Sequence, residues 1–221
     1  MNAITAANIG SKAVLKGIKN FLPNRILIRR GPADRKQIAL TFDDGPHAEI
    51  TPLVLEILEQ HSVPATFFLI GSRAAAHPQL VRRMIEDGHE VGNHSQTHGV
   101  LTELSREAGI REIESGEDTL KSITNRPINL FRPPKGELSL GALWRLAEKK
   151  TTTVLWSVDP KDFLMDSPEC LWDKLKDEPL QGGDIVLLHD RLQAVVDVLP
   201  RLIERIRALD LRLTTVGGML Q

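Results

Sequence analysis

Apolar and polar positions follow two rhythms along the chain. Short runs rich in β-branched and aromatic residues recur at 37–42, 65–70, 89–93, 128–131, 152–157, 184–188 and 211–216. They are bounded by turn residues and are too brief for stable helices, so they predict strands. Between them apolar residues return every three to four positions, at 52–61, 78–87, 105–124, 140–149, 168–176 and 192–209. That period is the mark of a helix with one buried face. In VRRMIEDGHEV the helical rhythm stops at Gly88 and a strand begins. Strands alternating with helices predict βαβ units and a parallel sheet. Seven strands predict a small (β/α) barrel, shorter than the usual eight-fold form, with a doubly wound open sheet as the competing architecture.

Residues 1–35 read as an N-terminal amphipathic helix and lead-in, and 36–221 as one domain. In the helix, Val14, Ile18 and Phe21 or Leu22 fall at helical spacing, with Lys12, Lys16 and Lys19 between them. The plain reading packs this helix across the domain. The alternative is a peripheral membrane contact, which a basic face permits.

Composition narrows the classes. The 221 residues are 41% hydrophobic and 26% charged, as in a soluble globular protein. A net charge of −1 gives no reason to expect a nucleic-acid partner. Cys170 is the one cysteine, which excludes an internal disulfide. No apolar run approaches the ~20 residues of a membrane helix. The N-terminus lacks the apolar core of a signal peptide, so the expected location is cytoplasmic, membrane-associated if the basic helix binds lipid.

The chemically capable residues gather on one edge of this map. Asp43 and Asp44 end the first strand, His94 and His98 follow the third, and Arg132 ends the fourth. Asp159 and Asp162 follow the fifth strand and His189 ends the sixth. All lie at carboxyl ends of strands, where barrels build active sites. His94 and His98, four apart, can face one metal ion from a single helical turn. A hydrolytic metal needs a third ligand and an open position; one of the two first-strand aspartates can be that ligand and the other a base. Alternation along a strand should send Asp43 and Asp44 to opposite faces, but the Gly45-Pro46 turn ends the regular strand. Arg132 can orient a carboxylate through its planar fork. Either Asp159 or Asp162 can orient His189. His61, His77 and His89 read as structural, and His47 has no assigned role.

The segments TFDDGP, HSQTH, RPPKG, WSVDPKDF and LLHD resemble, in order, the five motifs of the polysaccharide deacetylases, carbohydrate esterase family four, also called the NodB homology domain. The resemblance spans roughly residues 36 to 217. It implies a distorted (β/α) barrel and a divalent metal, zinc first, cobalt or another transition ion otherwise. It implies Asp44, His94 and His98 as metal ligands, Asp43 as general base and Arg132 as its positioning partner. It implies His189 as general acid, Asp162 as the group orienting it, and the backbone N–H of Lys135 as an oxyanion donor. The implied reaction is hydrolysis of the N-acetyl amide of a sugar or glycan. An O-acetyl esterase and a non-catalytic glycan-binding relative are the alternatives. Two positions depart from the family pattern: Lys135 stands where an aromatic is common, and Phe163 where Trp is common. With aromatics at 4% and no Tyr, a cation at the rim points to a short, anionic or lipid-linked amino-sugar intermediate as substrate.

Overall fold

The structure, a computed structural model, describes residues 22–221. The amphipathic helix expected around Val14 and Ile18, and the membrane contact tied to it, lie outside the described residues. Among the described residues, no helix is long and apolar enough to cross a membrane.

Among the described residues, eight strands form one parallel sheet: β1 (Leu27–Ile28), β2 (Gln37–Asp43), β3 (Thr66–Leu69), β4 (Glu90–Asn93), β5 (Leu130–Phe131), β6 (Thr152–Val154), β7 (Ile185–His189) and β8 (Arg212–Leu213). Their order is β1-β6-β5-β4-β3-β2-β7, and β8 pairs with the start of β2 at Gln37 and Ile38. The ring closes beyond β6. Val158 bridges to Val186 of β7, the Ser157 N–H donates to the Ile185 carbonyl at 3.0 Å, and the Leu187 N–H donates to the Val158 carbonyl at 2.9 Å. The architecture is thus the distorted barrel rather than the open sheet, with seven strands in the ring and β8 appended.

The helices are α1 (Ile50–Gln60), α2 (Gly71–Ala76), α3 (Pro78–Glu86), α4 (Arg106–Thr124), α5 (Leu140–Glu148), α6 (Pro168–Lys176), α7 (Gln193–Ala208) and α8 (Val216–Leu220). Ser105, Ser139, Ser167 and Thr215 cap α4, α5, α6 and α8 by accepting a backbone N–H, each cap contributing about 1 kcal/mol. The Thr215 cap is why the strand expected over 211–216 stops after two residues and turns into a helix. β1 and α2 were not expected. Both are too short to display a period, and β1 lies inside the stretch read as lead-in.

β2 is buried along its whole length. Its alternate residues Ile38, Leu40 and Phe42 join the outer layer with Val54, Leu55 and Leu58 of α1 and Val198, Leu202 and Ile206 of α7. Ala39 instead belongs to an inner cluster with Ile28, Phe68, Val154 and Ile185. Leu130 of β5 and Val216 and Met219 of α8 complete that cluster. The Val216 N–H donates to Thr66 Oγ1 at the start of β3 at 2.9 Å, and the Gly217 N–H to Glu90 at the start of β4 at 2.8 Å. α8 therefore closes the amino end of the barrel and leaves the carboxyl end for chemistry.

Candidate active site

At the carboxyl end a cleft of about 410 Å³ is lined by Asp43, Asp44, His94, His98, Lys135, Trp156, Asp159, Lys161, Phe163, Leu187, His189 and Arg191. Seven of these twelve side chains were singled out from the sequence as site candidates.

The two aspartates serve one site because the backbone turns between them. Asp43 ends β2 in strand register opposite His189 of β7. Asp44 then adopts a left-handed conformation, φ 73°, which Asp tolerates better than most residues. This breaks the alternation and brings the second carboxylate back toward the first. Gly45 allows the turn to close: a Cβ there would lie 2.2 Å from Asp190 Oδ2. Asp190 is fully buried, and Thr51 Oγ1 donates to its Oδ2 at 2.6 Å. Burial, aided by the charges of Asp44 and Asp43, pushes the Asp190 carboxyl up to about 7.

His94 and His98 converge by a route the sequence did not suggest. Residues 94–100 form no helix. Ser95 and His98 have positive φ, 66° and 64°. The loop is held by Asn93, whose side chain donates to the Ile113 carbonyl at 2.8 Å and accepts the Ser95 N–H at 2.9 Å. It can lie against α4 because position 116 is glycine; a Cβ there would meet Asn93 Oδ1 at 2.5 Å.

The donor set suits a metal ion. One ligand atom each from Asp44, His94 and His98 falls within 4.8 Å of the others. His94 Nδ1 is 2.7 Å from the Arg132 carbonyl and donates to it, which leaves Nε2 bare toward the aspartates. Asp44 Oδ1 is buried without a hydrogen bond, 3.2 Å from His98 Nε2 and 3.6 Å from His94 Nε2. Burial pulls His98 below the usual imidazole range, helped by His94 and opposed by Asp44 and Asp43. Burial works to raise the Asp44 carboxyl, but His94, His189, His98 and Arg191 outweigh it and hold it below the usual range. Bare imidazole nitrogens beside an ionised, unpartnered carboxylate oxygen are what a borderline dication requires.

Arg132 lies beneath this group, fully buried. Its Nη1 donates to Asp43 Oδ1 and Thr41 Oγ1, each at 2.7 Å, and its Nη2 to the Leu155 carbonyl at 3.2 Å. Its guanidinium stacks 4.1 Å from the centre of the Phe68 ring. Beside the neighbouring strand β7, whose His189 is paired in register with Asp43, Asp162 resolves the choice between the fourth-motif acids. Asp162 Oδ1 is 2.7 Å from His189 Nδ1, and Oδ2 accepts the His189 N–H at 2.7 Å. Asp159 is engaged by Lys161 at 2.5 Å and does not reach the histidine. Burial would lower His189, but the hydrogen bond and charge of Asp162, with Asp43 and Asp44, raise it above the usual imidazole range. Phe163 packs edge-on to the His189 ring, centroids 5.5 Å apart.

Lys135 stands exposed at the mouth of the cleft in a left-handed turn, φ 56°. Gly136 beside it packs on Trp156, where a Cβ would come within 2.9 Å of the indole. Each of the three carboxylates lining the cleft has a basic partner: Asp43 has Arg132, Asp44 has Arg191 and Asp159 has Lys161. Lys135 makes no ion pair among the described residues. Of the remaining histidines, His47 Nδ1 accepts the Glu49 and Ile50 N–H groups and so caps α1. His89 Nδ1 accepts the Ala65 N–H at 3.2 Å. Arg191, whose Nε donates to Asp44 Oδ2 at 3.0 Å, was missed; the one available signal was its place two residues after His189.

The model of the polysaccharide deacetylase family matches residues 30–154. A peptidoglycan-N-acetylglucosamine deacetylase of Bacillus cereus is 36% identical over 209 residues, covering 92% of this chain and 97% of its own. A chitooligosaccharide deacetylase of Sinorhizobium fredii is 37% identical over 164 residues, covering 74% and 76%. A solved peptidoglycan N-acetylglucosamine deacetylase superposes with a TM-score of 0.84 at 32% identity, over 88% of this chain and 92% of that one. With the five motifs now gathered around one cleft, the chain belongs to the polysaccharide deacetylase family, enzymes that act on the amide bonds of N-acetylated sugars.

Proposed function

We propose that this chain removes acetyl groups from an N-acetylated glycan by metal-assisted hydrolysis. The observation that carries the reading is the grouping at one cleft of Asp43 with Arg132, the His189–Asp162 pair, with His189 on the adjacent strand in register with Asp43, and the Asp44–His94–His98 set beside them. Asp44, His94 and His98 would hold a divalent ion, zinc on the strength of one carboxylate and two imidazoles, which would supply Lewis acidity for attack of water on the acetyl carbonyl. Asp43 receives the proton of that water on Oδ2, because Oδ1 is committed to Arg132. The backbone N–H of Lys135 donates to the developing oxyanion. His189, with Nδ1 engaged by Asp162, carries its mobile proton on Nε2 and delivers it to the departing amine. The products are acetate and a free amino sugar.

Lys135 favours a substrate with a negative group near the acetamido sugar, since the cleft's other cations are already paired. The test is an acetate-release screen of the ion-loaded protein over peptidoglycan fragments, chitooligosaccharides, matched neutral and anionic N-acetylated oligosaccharides, and O-acetylated counterparts. Faster release from amides than from esters supports the deacetylase. The reverse order makes it an O-acetyl esterase, and no release from either makes it a glycan-binding relative. A preference for anionic substrates that weakens with salt supports the role of Lys135, and equal rates remove it.

A further inference from the structure

We infer that Arg191 is a positioning residue that holds Asp44 so that a single carboxylate oxygen faces the ion. The inference rests on the reading of Asp44, His94 and His98 as ligands. Arg191 Nε donates to Asp44 Oδ2 at 3.0 Å, while Oδ1, buried and without a hydrogen bond, is the oxygen turned to the two imidazoles. Arg73 Nη1 holds the same residue from its other end, donating to the Asp44 carbonyl at 2.7 Å. Main chain and side chain of Asp44 are thus each fixed by an arginine, in a backbone conformation that few residues adopt. One-oxygen ligation leaves more of the coordination sphere open for water and the acetyl oxygen.

Two effects of Arg191 oppose each other, and their sign separates the roles. Its charge repels a dication, so an arginine acting through charge alone would bind the ion more tightly once removed. An arginine that orients the ligand would bind it less tightly once removed. The experiment is Zn²⁺ affinity by chelator competition for wild type, Arg191→Ala and Arg191→Lys, with circular dichroism of the metal-free proteins. Lysine keeps the charge and loses the planar fork. The expected result is about 10- to 100-fold weaker binding in both variants, the usual cost of losing a group that orients a ligand, with unchanged metal-free spectra. Unchanged or tighter binding in Arg191→Ala overturns the inference, and so does wild-type affinity in Arg191→Lys. The measurement needs no glycan, so a protein that binds Zn²⁺ normally but releases no acetate fails the proposed reaction and leaves this inference standing. A wild type that binds no Zn²⁺ overturns both.

Discussion

Arg132 donates from Nη1 to Asp43 Oδ1 at 2.7 Å inside the barrel, and the arginine is wholly withdrawn from solvent. The pair links the end of β2 to the residue following β5, across the interior. Burial pulls the guanidinium below its usual range, and the charge and hydrogen bond of Asp43 oppose that pull. Removing either partner strands the other charge in a low-dielectric interior. Arg132→Met should therefore destabilise the fold by about 3–5 kcal/mol, read from urea unfolding, and also abolish acetate release. Stability within 1 kcal/mol of wild type would mean the pair is solvated in solution.

The adjacent aspartates should separate in function although they share a turn. Asp44→Asn should lose both the ion and turnover, because an amide is a poor ligand. Asp43→Asn should keep the ion and lose about 10²–10⁴ in kcat, the usual contribution of a general base. Ion content by elemental analysis beside single-turnover rates separates them. Chelation of wild type should abolish release and re-addition of Zn²⁺ restore it.

The pH profile should carry the signature of His189. Its folded value is raised, so the proton it would donate in the proposed reaction remains in place above the ordinary imidazole range. The falling limb of kcat/KM should accordingly lie on the alkaline side of that range. Asp162→Asn removes the hydrogen bond and the charge that raise it, and should move the limb to lower pH as kcat drops. A limb that stays in place would detach His189 from proton donation.

His89 predicts acid lability far from the cleft. Its Nδ1 accepts the Ala65 N–H, and burial pulls it to about 4. Protonation would set two N–H groups against each other. The folded value lies below the unfolded one, so the unfolded chain binds the proton first. Stability should be intact above the unfolded imidazole range and fall as pH drops toward 4, by about 2–3 kcal/mol. His89→Gln, which keeps an acceptor for Ala65, should lose less over the same interval in denaturant titrations at neutral and acid pH.

Much of the site was legible because its chemistry sits at strand ends, and strand ends follow from hydrophobic period. Asp43, Arg132 and His189 could be placed that way. The ordered motifs supplied the rest of the assignment, including Asp162 over Asp159. What stayed hidden depends on backbone conformation and close approach. The left-handed Asp44, the non-helical path from His94 to His98 and the need for glycine at 116 leave no periodic trace. Arg191 was invisible for the same reason, since only the folded turn brings it to Asp44. β1 and α2 escaped because two and six residues are too few to show a rhythm.

The closure of the ring between Val158 and Val186 has a dynamic consequence. That seam is held by one bridge, the neighbouring backbone hydrogen bonds and the Ser157 hydroxyl, which donates to Asp184 Oδ1 and accepts the Ile185 N–H, whereas β2 pairs with β7 over five residue positions. Asp162 lies four residues past the seam, and its partner His189 ends β7 on the other side. Asp43 ends β2, and Asp44 and His94 directly follow β2 and β4, strands joined through β3 and not across the seam. Local opening at the seam would draw Asp162 from His189 and leave the ligand set assembled. Hydrogen exchange should then be faster at Ser157, Val158 and Leu187 than along β2 and β3, so that the proposed proton donor is the first part of the site to come apart and the proposed ion-binding part the last.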